Sequence, residues 1–434
     1  FKTEPDFYFG SATRDCRVEA IITKDGSVKE IAAGNEGEIV LDRSAIYSES
    51  GGQVADIGKL YDNTESIELA TVNGAYYPVA GLIAHRIVAT DTLRVGDRVA
   101  TVADGARREH IKRNHTATHL MNAALRNILG THVKQAGSLV EPGRLRFDFS
   151  HFAPVDAAEL RDIEQQVNEE ILLNNELETN IMALDDALAS GALAFFGDRY
   201  PESNVRVVTI PDANSPRGFF SKELCGGTHV KRAGDIGIFK IITESSVAAG
   251  VRRIEAISGV RALEEYQHAS DALRSIATTL SAGPEGIEAA AQKLIEARHD
   301  LEKQLAAFQK KSAQGSADEL IAHARHVKGV RVVASRVPDM NRDALRGLVD
   351  TLKQKLGSGV IALGMAENEK VALIVGVTKD LTAKCNAGKI IQAIAKEVGG
   401  SGGGRPDLAE AGGKDTTALN MALEMVPAIV DRML

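Results

Sequence analysis

His115 and His119 stand four residues apart in "HTATH", and Cys225 and His229 stand at the same separation in "CGGTH". On a helix that spacing sets two imidazoles on one face, about a turn apart, where they can meet one ion. The second pair flanks Gly226-Gly227, which favours a tight turn over a helix, and a turn can also bring two side chains to a metal. Three imidazoles and one thiolate form a tetrahedral N/S donor set suited to one Zn2+ per chain. Either pair alone also reads as surface or core residues; the two pairs together point to a metal. A metalloprotease would need Glu directly after the first histidine as general base. Thr116 stands there, so that chemistry fails at its central residue.

The first pair needs a helix. Residues 104–130 supply one, with Ile111, Leu120, Ala124 and Ile128 at helical spacing and Gly130 as a stop. Before it, residues 17–102 read as short strands of a small barrel or sandwich. "VEAIITKDGSVKEI" is a hairpin whose turn is Asp25-Gly26. After it, strands are expected near 133–140, 144–149, 205–210 and 236–243, with a helix over 155–173 near Pro154. Strand runs mixed with two long helices make an α+β fold.

Residues 261–325 are helical in pattern. Tyr266, Ala269, Leu273, Ile276 and Leu280 follow one three-four spacing, and Ile287 to Phe308 follow another. "SAGPEG" at 281–286 breaks the run, which predicts a helical hairpin or a plain amphipathic spacer. After Gly329, strands and helices alternate as in a small separate α/β domain. The resulting division is 1–104 barrel, 105–259 metal-bearing domain, 260–328 helical linker and 329–434 terminal domain.

Of 434 residues, 44% are hydrophobic and 25% charged, an ordinary globular balance. No apolar run approaches the ~20 residues of a membrane span, and the first residues are no signal peptide. They lack an initiating Met, which reads as a fragment or a processed chain. The three cysteines suit a reducing compartment, hence cytoplasm, with Cys16 and Cys385 as packing residues. The net charge of −8 is uneven: residues 331–434 carry 14 Lys/Arg against 12 Asp/Glu, and the rest 37 against 47. Any phosphate partner must therefore be met by local basic groups. Arg107, Arg108, Lys112 and Arg113 form one such stretch, Arg252-Arg253 a weaker one, and Gly402–Gly404 with Arg405 a glycine-rich loop able to present amides and a guanidinium. The bland alternatives are a solvated helix face and a flexible connection. The last loop lacks the Lys-Ser/Thr ending of a nucleotide P-loop.

"HTATHLMNAALRNILGTHVKQAGSLV" followed by "CGGTHV" resembles the editing domain of the alanyl-tRNA synthetase family, shared with free-standing editing proteins and more distantly with threonyl-tRNA synthetases. "YSESGGQVADIG" resembles the glycine motif of the small barrel preceding that domain. "GGSGGGRPDLAEAGG" resembles the family's DHHA1-like C-terminal domain. The resemblance runs along essentially the whole chain in the family's order. We find no counterpart of the ATP-dependent aminoacylation domain, which would lie upstream.

The resemblance implies hydrolysis of tRNA(Ala) mischarged with serine or glycine, with Thr118 and Gln135 beside the amino acid. It also implies a terminal domain that binds tRNA and sometimes self-associates; no membrane or DNA partner is expected. The Gly51-Gly52 turn, otherwise a simple turn, and the cations Arg107, Arg108, Arg113 and Arg405 are the candidate tRNA contacts. A trans-editing deacylase and a non-catalytic tRNA-binding module with structural zinc stay open as alternatives. Whether zinc is catalytic or structural is also open.

Overall fold

The computed structural model describes residues 1–195, 200, 204–337, 342–367 and 370–434, with backbone alone for 309–316 and 367. The chain divides into two compact units, Phe1–Ser275 and Ile276–Leu434.

The first unit opens with a closed barrel. Six antiparallel strands, Ala12–Thr23, Glu36–Leu41, Leu82–Ala89, Glu68–Val79, Gly58–Asp62 and Arg98–Ala103, are joined in that order, and the last pairs back onto the first. Closure leaves no open edge among them. Alternation along the strands, with a register shift between Val18 and Ala20, turns Val18, Ile21, Ile39, Leu60, Val72 and Val99 inward. The predicted hairpin is present, with its turn one residue earlier than expected: Thr23 pairs with Gly26, so Lys24 and Asp25 form the turn and Gly26, at φ 107°, opens the return strand.

Helix α1 (Gly105–Leu129) follows directly. Asp104 caps it, its side chain accepting from Arg107 N, and Gly130 ends it at φ 114°. Helix α2 (Ala157–Leu173) begins in a reciprocal capping box between Asp156 and Glu159. Its cap is thus Asp156, two residues beyond Pro154.

These helices pack on a four-stranded antiparallel sheet ordered Gln135–Val140, Leu145–Ser150, Val251–Ser258, Phe239–Ala248. Phe147, Phe149 and Phe239 fill the space between them with Leu120, Leu125, Ile163 and Val167. Ile236, expected within a strand, lies instead in a 3-10 turn, Ala233–Ile236. A second sheet, Glu178–Met182, Val205–Pro211, Phe219–Leu224, adjoins α1, with the short helix α3 (Leu184–Ala189). Helix α4 (Val260–Thr279) carries the chain across the division between units.

In the second unit α5 (Ile287–Ala322) resumes after the break at Pro284–Gly286. A six-stranded sheet follows, ordered Arg325–Val327, Val330–Arg336, Gly359–Glu367, Lys370–Val377, Leu408–Gly413, Ser401–Gly404. Period-two alternation splits its side chains between two cores. Val333, Ile361 and Leu363 face α6 (Arg342–Leu356). Val332, Val360 and Ala362 face α7 (Ala387–Glu397), α8 (Leu419–Glu424) and α9 (Val426–Met433).

Candidate metal centre

Helix α1 buries an unusual run of polar residues: Asn114, His115, Thr116, Thr118, His119 and Asn122 are all under a tenth exposed. Buried polar groups need partners, and most of these have them within the protein. Asn114 donates to Glu141 O at 2.7 Å and accepts from Ser258 Oγ at 2.7 Å. Thr118 donates back to Asn114 O at 2.8 Å.

His115 and His119 stack 5.2 Å apart with their planes within 13°, as two imidazoles one turn apart on one face must. The turn Cys225–His229 meets them. One ligand atom from each of His115, His119, Cys225 and His229 lies within 4.8 Å of every other. Cys225 Sγ is 3.3 Å from both His115 Nε2 and His229 Nε2. Arg206 holds the turn in place by donating to Cys225 O and Gly227 O, each at 2.9 Å, while it stacks on Tyr8. Gly227 is obligatory: a Cβ there would fall 2.0 Å from His115 Cε1.

Each histidine is steered through its other nitrogen. His115 Nδ1 lies 2.7 Å from Gln53 Oε1, His229 Nδ1 lies 3.2 Å from Thr116 Oγ1, and His119 Nδ1 contacts Glu223 Oε2. Outer partners of this kind set the tautomer and ring orientation of metal ligands.

Metal-ligand chemistry fits this site. His119 Nε2 is buried and has no hydrogen-bond partner in the protein, as a nitrogen reserved for an ion would be. Burial pushes the Cys225 thiol up, but the His115, His229 and His119 imidazoles outweigh it and hold the thiol well below its ordinary range. Burial lowers His119, yet Glu223 and Cys225 outweigh it and raise it to about 10. A thiolate and a carboxylate in one buried pocket thus draw positive charge, and the N/S set suits zinc.

A cavity of about 300 Å³ opens over His115, His119 and Cys225. Thr118 and Gln135 line it, as do Gly51, Ser138, Tyr47 and Phe147. Gly52 has φ 86° and no space for a side chain, since a Cβ would meet Ser138 O at 2.6 Å. The Gly51-Gly52 turn is therefore packed against the strand Gln135–Val140.

The basic residues expected on phosphate are engaged within the protein. Arg108 is 1% exposed, its guanidinium spent on Asp56, Ala45 O and Gly10 O. It is a barrel-to-helix clamp, and a phosphate contact there is corrected: its neighbours run along a helix whose N-terminal face docks on the barrel. Arg107 donates to Ala55 O and Arg113 to Asp235 O, while Lys112 pairs with Glu109. Arg252 and Arg253 form two-point pairs with Glu244 and Asp148. In the second unit, Gly402–Gly404 is a strand rather than a loop. Its glycines admit the close approach of Leu408–Gly413, since a Cβ on Gly402 would fall 2.3 Å from Ala411 Cβ. Arg405, in the turn that follows, is exposed beside Asp407 at 3.3 Å.

Gln53, Thr116, Glu223 and Asn122 were not singled out from the sequence. Glu223 had a signal: strand period places Ser221, Glu223 and Cys225 on one face. Gln53 had only its position after two glycines.

Three family models match: "tRNA synthetases class II (A)" over residues 2–107, "Threonyl and Alanyl tRNA synthetase second additional domain" over 205–255, and "DHHA1 domain" over 329–432. An alanine–tRNA ligase of Solibacter usitatus is 47% identical over 96% of this chain and 47% of its own length. One from Pseudoalteromonas translucida is 44% identical over 97% of this chain and 47% of its own. The solved C-Ala domain from Aquifex aeolicus alanyl-tRNA synthetase matches 25% of this chain and 97% of its own at 28% identity, with a TM-score of 0.24. Among the described residues no helix is long and apolar enough to cross a membrane. The chain spans about half the length of the curated relatives it matches, and along that span it belongs to the alanyl-tRNA synthetase family.

Proposed function

We propose that the cavity above His115, His119, Cys225 and His229 is a zinc-supported aminoacyl-tRNA deacylase site acting on tRNA(Ala) mischarged with serine or glycine, and that residues 329–434 help to hold the tRNA. The observation carrying this reading is that Thr118 and Gln135 share one cavity with His115, His119 and Cys225 of the ligand set. Zinc held by the four residues would have its shell filled by protein and would tie α1 to the Cys225–His229 turn.

Discrimination of serine from alanine follows from Thr118. Its hydroxyl proton is committed to Asn114 O, so toward the cavity Oγ1 can only accept. A seryl hydroxyl can donate to it, and an alanyl methyl cannot. Proofreading is needed because so few atoms separate these amino acids that binding alone distinguishes them by only ~1–3 kcal/mol.

Gln135 offers an amide that can donate to the ester carbonyl or orient water. Neither it nor Thr118 is a strong base, which leaves proton removal to the neighbouring ribose hydroxyl or to water. Tyr47, Phe147 and Leu224 narrow the cavity around a small side chain.

Single-turnover deacylation of seryl-tRNA(Ala) and alanyl-tRNA(Ala) tests the proposal. Seryl ester lost no faster than without protein would sink it and leave a non-catalytic tRNA-binding module, which the fully protein-filled ligand set also suits.

A further inference from the structure

We infer that the barrel is part of the metal centre: Gln53, delivered by the Gly51-Gly52 turn, is a positioning residue that sets the tautomer and direction of His115. The inference rests on the metal reading above and assigns the glycine motif a task other than touching tRNA.

Gln53 is fully buried. The orientation of its amide is decided by a backbone donor. Thr228 N–H lies 2.9 Å from Oε1, and since a backbone N–H can only donate, that atom is the oxygen. Nε2 then donates to Thr228 Oγ1 at 2.9 Å. Because the atom facing His115 Nδ1 at 2.7 Å is an acceptor, Nδ1 must carry the proton. The lone pair is therefore on Nε2, the nitrogen that lies 3.3 Å from Cys225 Sγ. One amide thus fixes a ligand on α1 and grips the turn carrying Cys225 and His229, although Gln53 lies in neither element.

The turn before it looks built for delivery. Ser50 and Gln53 exchange backbone hydrogen bonds at 3.2 and 3.0 Å, with Gly51 and Gly52 at φ 59° and 86° between them. Such dihedrals are easy only for glycine. Val54 N donates to Val140 O and Val140 N to Gly52 O, which anchors the turn to the sheet beneath the cavity. Gly52 cannot gain a Cβ without moving away from Ser138, and such a move would carry Gln53 off His115.

The test is zinc affinity of the full chain, measured by competition with a chromophoric chelator, together with the visible spectrum of the cobalt-substituted protein. Gln53→Leu removes the acceptor and is expected to weaken zinc about 10- to 100-fold, the usual cost of losing an outer-shell partner, and to alter the cobalt bands. Gln53→Glu restores an acceptor for His115 and is expected to bind zinc within about threefold of the parent chain. Gly52→Ala, which leaves Gln53 chemically intact, is expected to weaken zinc in the same direction. Circular dichroism checks folding. If Gln53→Leu does not fold, the Glu and Ala variants decide. Parent-like affinity and cobalt spectra in Gln53→Leu and Gly52→Ala, or a Glu variant as weak as Leu, would overturn the inference. A parent chain that binds neither zinc nor cobalt would instead overturn the metal reading on which it rests.

Discussion

Glu223 accepts from His119 Nδ1 with one carboxylate oxygen and from Asn122 Nδ2, at 2.8 Å, with the other, so a single buried side chain aims the ligand and braces the helix that carries it. Glu223→Ala leaves His119 Nδ1 and Asn122 Nδ2 buried without an acceptor. Zinc affinity is expected to fall about 10- to 100-fold. Stability should fall by about 1–3 kcal/mol as those donors go unpaired. Chelator competition and denaturant unfolding read the two effects separately; an unchanged affinity would show that Glu223 does not aim His119 at a metal.

Removing the metal tests the centre as a whole. Elemental analysis of protein purified without chelator should find about one zinc per chain. Stripping it should lower the melting transition of the unit Phe1–Ser275 and leave that of Ile276–Leu434 in place, because the four ligands belong to the first unit. Two transitions moving equally, or neither moving, would contradict this.

His85 makes the barrel acid-sensitive. It is fully buried between Ser44 Oγ at 2.8 Å and Ile39 O at 3.2 Å, and burial lowers it from 6.5 to about 4. The unfolded chain takes up a proton near pH 6.5, while the folded chain does so only near pH 4. The stabilising effect of a neutral His85 is therefore complete above pH 6.5 and is lost as pH falls toward 4, a change of about 3 kcal/mol. In His85→Gln the acid limb of stability should be shallower by that amount. Since both chains share the zinc site, the difference between their pH profiles isolates His85. Parallel profiles from pH 7.5 to 4.5 would refute the assignment.

Thr118→Val keeps the shape of the side chain and removes its acceptor. Hydrolysis of seryl-tRNA(Ala) should slow by roughly fivefold, one hydrogen bond of about 1 kcal/mol, with alanyl-tRNA(Ala) little affected. Gln135→His places bulk and a competing ligand beside the cavity and should impair hydrolysis with the fold intact. If seryl and alanyl esters respond alike to Thr118→Val, its hydroxyl does not read the substrate.

In the second unit, Arg405 is the expected phosphate contact. Arg405→Ala should reduce the slope of log affinity against log salt by about one and weaken tRNA(Ala) at low salt, with deacylation at saturating substrate unchanged. Deleting residues after Gly329 should do the same more strongly, because positioning contacts would be lost and the ester site spared. Equal salt slopes for all three chains would mean the tail does not hold tRNA. Sedimentation would then show whether it serves self-association.

Local patterns settled much of this molecule before any folding. Four-residue spacing on a helix placed His115 and His119 on one face, and Gly130 marked the end of that helix. The paired His and Cys types named the donor set, Asp25-Gly26 marked its hairpin to within one residue, and the alternation of strand-like and helix-like runs after Gly329 foretold the α/β tail. What the tertiary structure decided were contacts between residues far apart in the chain, which carry no spacing signal. Arg108 reads as one more cation in a basic run, yet Asp56, 52 residues away, takes it into the interior. Gln53 reads as a polar residue in a turn, yet it meets Thr228 across 175 residues and faces a metal ligand. Gly402–Gly404 reads as a loop because glycine favours turns, yet it is a strand, and Leu408–Gly413 comes too close for a side chain at Gly402 or Gly404. In each case the same residue type suits two environments, and only the surfaces brought against it by the rest of the fold select one.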